Sequence, residues 1–350
     1  MGEICIAVDV MGGDYAPEET IKGCAQALAQ GDSRVKLLLV GQEDKIRAEV
    51  AKHSMDTSRY EIIDAPEVIG TDEVPTTAIR QKKQSSIVVG LQLVKKGEAG
   101  AFVSAGSTGA VLAGATLIVG RIKGVERPAL ATILPNEKGW TFHIDVGANV
   151  DAKPSYLVQF AQMGAIYMES IMGIENPRVG LVNIGAEKEK GNALTKEAYG
   201  LLEAAKGINF TGNVEPRDIP LGAVDVVVCD AFVGNVILKY SEGFAKAMLG
   251  MIKEELMGGL LSKIGALLSK GAFKNLKKRF DYAEVGGAPF LGLTGLVVKA
   301  HGSSNARAFQ NAIRQCSEFI DKDITGKITQ SIQLNQRTEP VAQAEASEEA

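Results

Sequence analysis

Cysteine is scarce in this chain and scattered: Cys5, Cys24, Cys229 and Cys316 are spread over 350 residues. None has the spacing of a metal site or a disulfide pair. Cys5 and Cys229 fall in apolar strand-like runs. They read as small core residues in a reducing compartment. The chain also lacks a Walker loop, a dinucleotide fingerprint at a strand–helix turn, an H-E-x-x-H metal helix and a G-x-S-x-G nucleophile elbow. No cysteine stands beside a histidine, so no covalent nucleophile is evident. No apolar run reaches the ~20 residues that cross a bilayer; 110–119 comes nearest. The start MGEICIAVDV has neither the basic residues nor the cleavage site of a signal peptide. A net charge of only −4 offers nucleic acid no general attraction. With 45% hydrophobic and 23% charged residues, the composition is that of a soluble globular protein.

What is present is one grammar used six times: an apolar strand run, a loop of small and polar residues, then a helical pattern. ICIAV runs into DVMGGD, GAFVSA into GSTGAVLAG, FHIDV into GANVDAKPS, RVGLVNI into GAEKEKGN, VDVVVC into DAFVGN, and GLVVKA into HGSSN. Further strands are expected at 35–40, 60–64 and 129–134, and a helix at 306–320. Unbroken Val, Ile and Leu runs mean strands covered on both faces, and their alternation with helices means a mostly parallel sheet. Ligands of such sheets bind beyond the carboxyl ends of the strands. All six loops are expected to lie at that end. This gathering of polar residues argues for an enzyme.

The first loop carries Asp9, Gly12, Gly13 and Asp14, and a helix is expected to begin near Pro17. Glycines let a backbone approach a ligand closely. Ser104, Gly106, Ser107, Thr108 and Gly109 form a cradle for phosphate or an oxyanion, or else a tight turn with a hydroxyl cap. Asp145, Gly147 and Asn149 likewise form a cradle, or else Asp145 only caps a helix. In the fourth loop Asn183, Gly185 and Glu187 surround Lys190, which offers a point charge to phosphate or merely faces water. Asp230 orients a cation or caps a helix, with Asn235 beyond it. His301, one of three histidines, precedes Ser303 in a polar glycine loop. Asp9 and Asp14 are the residues for a divalent ion, but loops of small residues suit an anion at least as well. Direct transfer between two bound substrates fits this set.

Two segments break the grammar. Residues 256–280 hold lysines, an arginine and no acidic residue, with Leu260, Leu261, Ile264 and Leu268 at helical spacing. Two amphipathic helices joined near Gly271 fit the pattern, for an anionic membrane surface or for a partner subunit. Residues 333–350 are polar and acidic and read as a disordered tail. The rest, 1–332, reads as a single α/β catalytic domain, in one or two lobes around a cleft. Basic clusters stand at Arg80, Lys82 and Lys83, and at Arg121, Lys123 and Arg127.

Seven blocks, DVMGGD, TAIRQKK with Ser85 and Ser86, SAGSTGA, DVGAN, NIGAEKEKG, DVVVCDAFVGN and VVKAHGSS, occur in this order over most of the chain. In these blocks the chain resembles the bacterial phosphate acyltransferases of phospholipid synthesis. The resemblance implies a three-layer α/β/α sandwich like that of phosphotransacetylases and isocitrate dehydrogenases, commonly a homodimer. It implies transfer of a fatty acyl group from acyl carrier protein to inorganic phosphate, without metal or organic cofactor. The product, an acyl phosphate, would pass to a membrane glycerol-3-phosphate acyltransferase. The expected location is cytoplasmic and peripheral to the membrane. Asp9, Asp14, Lys190, Asp230 and His301 are the catalytic candidates, and the basic cluster at Arg80 is the candidate dock for the acidic carrier protein. A phosphotransacetylase acting on acyl-coenzyme A, a metal-dependent dehydrogenase and a non-catalytic binding protein are the competing readings.

Overall fold

The computed structural model describes residues 2–279 and 282–334. Its strands are β1 (Ile4–Asp9), β2 (Val35–Gly41), β3 (Tyr60–Asp64), β4 (Ala101–Ser104), β5 (Ala129–Asn136), β6 (Gly139–Ile144), β7 (Arg178–Val182), β8 (Asn209–Val214), β9 (Val226–Val228), β10 (Ala288–Leu291) and β11 (Leu296–Lys299). Its helices are α1 (Glu18–Gln30), α2 (Glu43–Val50), α3 (Pro75–Gln81), α4 (Ser86–Lys96), α5 (Thr108–Gly114), α6 (Pro154–Met172), α7 (Ala193–Ala204), α8 (Ala231–Met257), α9 (Leu260–Leu268), α10 (Lys270–Arg279), α11 (Tyr282–Val285) and α12 (Ala306–Asp321). A further helical run covers 324–334 and takes in Gln333 and Leu334. The remainder of the expected tail, 335–350, lies outside the described residues, as does Phe280.

The strands make one mostly parallel sheet in the order β3-β2-β1-β4-β11-β10-β5-β6-β9-β7-β8. Alternation sorts its side chains into two layers. In β1, Ile4, Ile6 and Val8 join a core under α1, α6, α7 and α12. Ala7 faces a second core shared with α3, α4 and α5. The second face continues under the start of α8, where Val227 and Cys229 meet Val233 and Ile237. Fully burying each such aliphatic side chain stabilises the fold by about 1.5–3 kcal/mol. Local signals set the helix ends: Ser85 Oγ accepts from the Val88 N–H at 3.4 Å, and Gly97 closes α4 at φ 76°.

The expected strand runs are all present. β8 and β10 are additions, and both had weak signals: NFTGNV carries glycine and asparagine, and APFL carries a proline. β10 changes the architecture. The strands β3, β2, β1, β4 and β11 run parallel. β10 is antiparallel to both β11 and β5, and β5 is antiparallel to β6. β9, β7 and β8 then follow the direction of β6. The loops after β1, β4 and β11 therefore open at one end of the sheet, and those after β6, β7 and β9 at the other. This corrects the expectation that all of them share one end.

α8 has 27 residues, about 40 Å of helix. Only Ala231 and Gly234 in it are buried, so most of its length is uncovered and leads to α9 and α10. The break between those two falls at Ser269 rather than at Gly271, which lies inside α10. No helix among the described residues is long and apolar enough to cross a membrane.

Candidate active site

The loops after β1, β4 and β11 are locked together. Asp9 is fully buried; its carboxylate accepts from the Met11 N–H at 3.0 Å and from Ser104 Oγ at 2.7 Å. Burial pushes the Asp9 carboxyl up from the ordinary range, against the pull of these donors. Ser104 Oγ also accepts from the Gly106 N–H at 3.0 Å, so that amide is not free for a ligand. A Cβ at Gly12 would stand 2.5 Å from Asp9 Oδ2 and 2.6 Å from the Gly106 nitrogen, so only glycine lets the two loops touch. Gly13, at φ 105°, turns the chain so that the Asp14 N–H donates to the Gly302 carbonyl at 2.8 Å. The Asp14 side chain itself is exposed. Ser107 caps α5, accepting weakly from the Ala110 N–H at 3.5 Å, and Gly109 packs against Pro75.

The loops after β6 and β9 make a second group. Asp145 Oδ1 accepts from the N–H groups of Leu130, Gly147 and Ala148 at 3.0–3.1 Å. Oδ2 accepts from the Asn149 N–H at 2.9 Å and from Asn149 Nδ2 at 2.7 Å. Asp145 thus holds this loop in shape, and the amides of Gly147, Ala148 and Asn149 are already donated to it. The oxyanion cradle expected there is occupied by the protein's own carboxylate. Asp230 caps α8, accepting from the Val233 N–H at 3.0 Å. Asn235 Nδ2 donates to the Val146 carbonyl at 3.0 Å. Between them Gly234 presses on the backbone of Asp145, where an added Cβ would lie 1.9 Å from the carbonyl oxygen. Gly234→Ala is expected to lift the start of α8 and cost about 3 kcal/mol of stability in urea unfolding. Wild-type stability would show that the helix has room to shift.

The two groups meet on the second face of the sheet, at a cavity of about 940 Å³ beneath α8. Of the candidates, Thr108, Gly147, Asn235 and His301 line it. So do Lys299, Lys239 and Gly302, which the sequence reading missed. Lys299 follows Val297 on the inward-facing side of β11 and is 8% exposed. Burial brings its ammonium down from 10.5 to about 8, with the Asp9 charge pulling the other way. A cation at an inward position of an apolar strand was its signal. Lys239 stands one helical turn beyond Asn235, on the same side of α8. Burial and then the Lys239 charge hold the His301 imidazole below its ordinary range. His301 Nδ1 accepts from the Ser303 N–H at 3.2 Å and lies 2.8 Å from Ser303 Oγ. In the neutral ring this leaves the proton on Nε2.

The fourth loop is elsewhere. Asn183 Nδ2 donates to the Lys190 carbonyl at 3.0 Å, and Asn213 Nδ2 to the Glu187 carbonyl at 2.8 Å. Asn183, Gly185, Glu187 and Lys190 do not line the cavity. No cluster of three or more His, Cys, Asp or Glu that could hold a metal ion occurs among the described residues. In the basic cluster, Lys82 pairs with Glu73 at 2.7 Å, whereas Arg80 and Lys83 are exposed. Arg121 donates to the carbonyls of Val125 and Glu126.

The fold is an α/β fold that phosphotransacetylases also have. A phosphotransacetylase from Streptococcus pyogenes has the same fold, with a TM-score of 0.62 at 17% identity over 91% of this chain and 94% of that one. Residues 4–327 match the family model described as fatty acid synthesis protein. A phosphate acyltransferase of Clostridium perfringens is 54% identical over 327 residues, 93% of this chain and 96% of that one. Another, of Clostridium acetobutylicum, is 52% identical over 328 residues, 94% and 98% of the two chains. The chain belongs to the phosphate acyltransferase family.

Proposed function

We propose that this chain transfers a fatty acyl group from the thioester of acyl carrier protein to inorganic phosphate, supplying acyl phosphate for phospholipid synthesis. The chain is an acyltransferase. The observation that carries the reading is the two-sided lining of the cavity. Thr108, Lys239, Lys299 and His301 border one end, where Glu242 pairs with Lys239 at 2.9 Å, and mostly aliphatic and aromatic side chains border the other. An anion needs the first and an acyl chain the second.

In this reading a phosphate oxygen attacks the thioester carbonyl carbon. The new C–O bond forms, negative charge builds on the carbonyl oxygen, and the C–S bond then breaks. The proton of hydrogen phosphate ends on the departing sulfur. Lys299 offsets the phosphate charge as a point cation, and Lys239, already paired with Glu242 at 2.9 Å, adds the smaller share. His301 Nε2–H donates to phosphate or relays the proton to sulfur. A thiolate leaves readily, so positioning of the two substrates supplies most of the rate, up to ~7–11 kcal/mol. His301→Ala and Asp14→Ala are each expected to lower kcat about tenfold, ~1.4 kcal/mol, with the melting temperature unchanged. Wild-type kinetics in both would remove these loops from the chemistry.

The deciding assay combines the purified chain, palmitoyl-loaded carrier protein and phosphate. Phosphate-dependent release of carrier thiol is expected. No release, with fast turnover of palmitoyl-coenzyme A instead, would make the chain a phosphotransacetylase. The acidic carrier protein docks on Arg80 and Lys83 in this reading. Charge reversal of both is expected to raise the Michaelis constant for carrier protein but not for phosphate, less so at high salt. Equal constants in wild type and variant would exclude this patch.

Two surfaces complete the proposal. Phe232, Val236 and Tyr240 recur one turn apart on α8, 63%, 54% and 71% exposed, and suit a second copy of the chain. α9 presents Leu260, Leu261, Ile264 and Leu268 uncovered beside lysines, and suits an anionic membrane reached from the cytoplasm. A long-chain acyl phosphate must reach a membrane enzyme, the glycerol-3-phosphate acyltransferase, and this contact would deliver it there.

A further inference from the structure

Trp140 is the one tryptophan of the chain, and it lines the cavity. It stands on β6, while Lys299 stands on β11, with β10 and β5 between them in the sheet. Inter-strand spacing puts these two strands about 14 Å apart, and the register sets Trp140 three residues, about 10 Å, farther along, so the two positions are roughly 17 Å apart. The wall around Trp140 is apolar: Leu134 on β5, and Ile219 and Pro220 before β9. Ile237 and Phe244 of α8 cover it. Arg217 also borders this end, but its side chain is 77% exposed and pairs with Glu215 at 2.9 Å. The cavity therefore runs from a cationic end to an apolar one across the span of a medium-to-long alkyl chain.

We propose that this apolar end is the acyl-chain subsite and that Trp140 is its end wall, so that the chain length accepted is set there. The inference rests on the acyl-transfer reading above. With Lys299 and His301 holding the phosphate and carbonyl end, the chain extends over β10 and β5 toward Trp140. Each methylene that gains burial is worth about fourfold in affinity. A wall that stops the chain therefore discriminates sharply between neighbouring lengths.

The test uses the full chain and two readouts. In the first, Trp140 emission is titrated with hexadecyl phosphate and with decyl phosphate. The long ligand is expected to shift the emission to the blue and the short one to leave it nearly unchanged. In the second, kcat/KM is compared across decanoyl, palmitoyl and stearoyl carrier protein. Trp140→Ala is expected to raise the stearoyl-to-palmitoyl ratio at least about fourfold. Ala245→Phe, which fills the roof from α8, is expected to lower the palmitoyl-to-decanoyl ratio at least about tenfold, with the Michaelis constant for phosphate unchanged. Unchanged emission at saturating hexadecyl phosphate, or unchanged ratios in both variants while the enzyme turns over, overturns the subsite and leaves the reaction standing. A shifted emission without any phosphate-dependent turnover supports the subsite and removes the reaction.

Discussion

Lys299→Met is expected to lower kcat/KM for phosphate about a hundredfold, the scale of losing one buried charge-stabilising donor. Lys299 is the most buried cation at the cavity wall, and phosphate is the substrate whose charge needs offsetting. Its value of about 8 sets the pH dependence. Below it the ammonium is charged and phosphate binds. Above it the charge is lost, and kcat/KM falls about tenfold per pH unit. In Lys299→Met this alkaline limb should vanish. Stability moves the other way. The folded state holds the group at about 8 and the unfolded chain at 10.5, so the unfolded chain binds more protons between these values. Folding stability from this group therefore rises with pH across that window. At neutral pH its burial costs on the order of 3 kcal/mol. Lys299→Met should melt higher than wild type near neutrality, with the gap closing as pH rises from about 8 to 10.5. Wild-type phosphate kinetics with an intact alkaline limb would remove Lys299 from the site.

The double change Leu261→Glu with Leu268→Glu is expected to abolish flotation with vesicles containing anionic phospholipid, while acyl transfer in solution is kept. The two leucines are 85% and 83% exposed, so the change breaks no core contact. Lys263 and Lys270 lie beside them, and each lysine near an anionic surface contributes roughly 1 kcal/mol. Adding carboxylates removes apolar insertion and opposes that attraction. Flotation should also weaken with salt in the unmodified chain. If the double variant still floats, or loses its dimer in sedimentation, the α9 face is a subunit contact instead.

Much of this molecule is legible one segment at a time. The expected strand runs, the helix that begins at Glu18 just after Pro17 and the helix after Asn305 follow from local rules. Asn305 Oδ1 accepts from the Ala308 N–H at 3.1 Å, as a cap one turn before an amphipathic run should. The glycine loops were legible as loops, but their work was not. DVGAN reads equally well as an anion cradle and as an aspartate capping the next helix, yet Lys153 stands at the start of α6 and Asp145 binds its own loop. Of the five donors on Asp145, two come from Leu130 and the Asn149 side chain rather than from a turn motif, so no local rule reveals them. Lys299 is less visible in the sequence than His301, because a lysine at a strand end looks like a surface residue until its neighbours bury it.

By itself the sequence determined nine of the eleven strands among the described residues, the helix after Pro17, the helix after Asn305 and the polar character of the loops, because those depend on periodicity and on contacts within a few residues. Only the tertiary structure decided the direction of each strand. Parallel and antiparallel pairing is set by the partner's hydrogen-bonding edge, and the four residues of β10 carry no sign of it. That reversal sends the loops to opposite ends of the sheet and lets α8 cross its face. The cavity follows from the same step, since Thr108, Leu130, Trp140, Asn235 and Lys299 are distant in the chain and come together only when the sheet and α8 assemble.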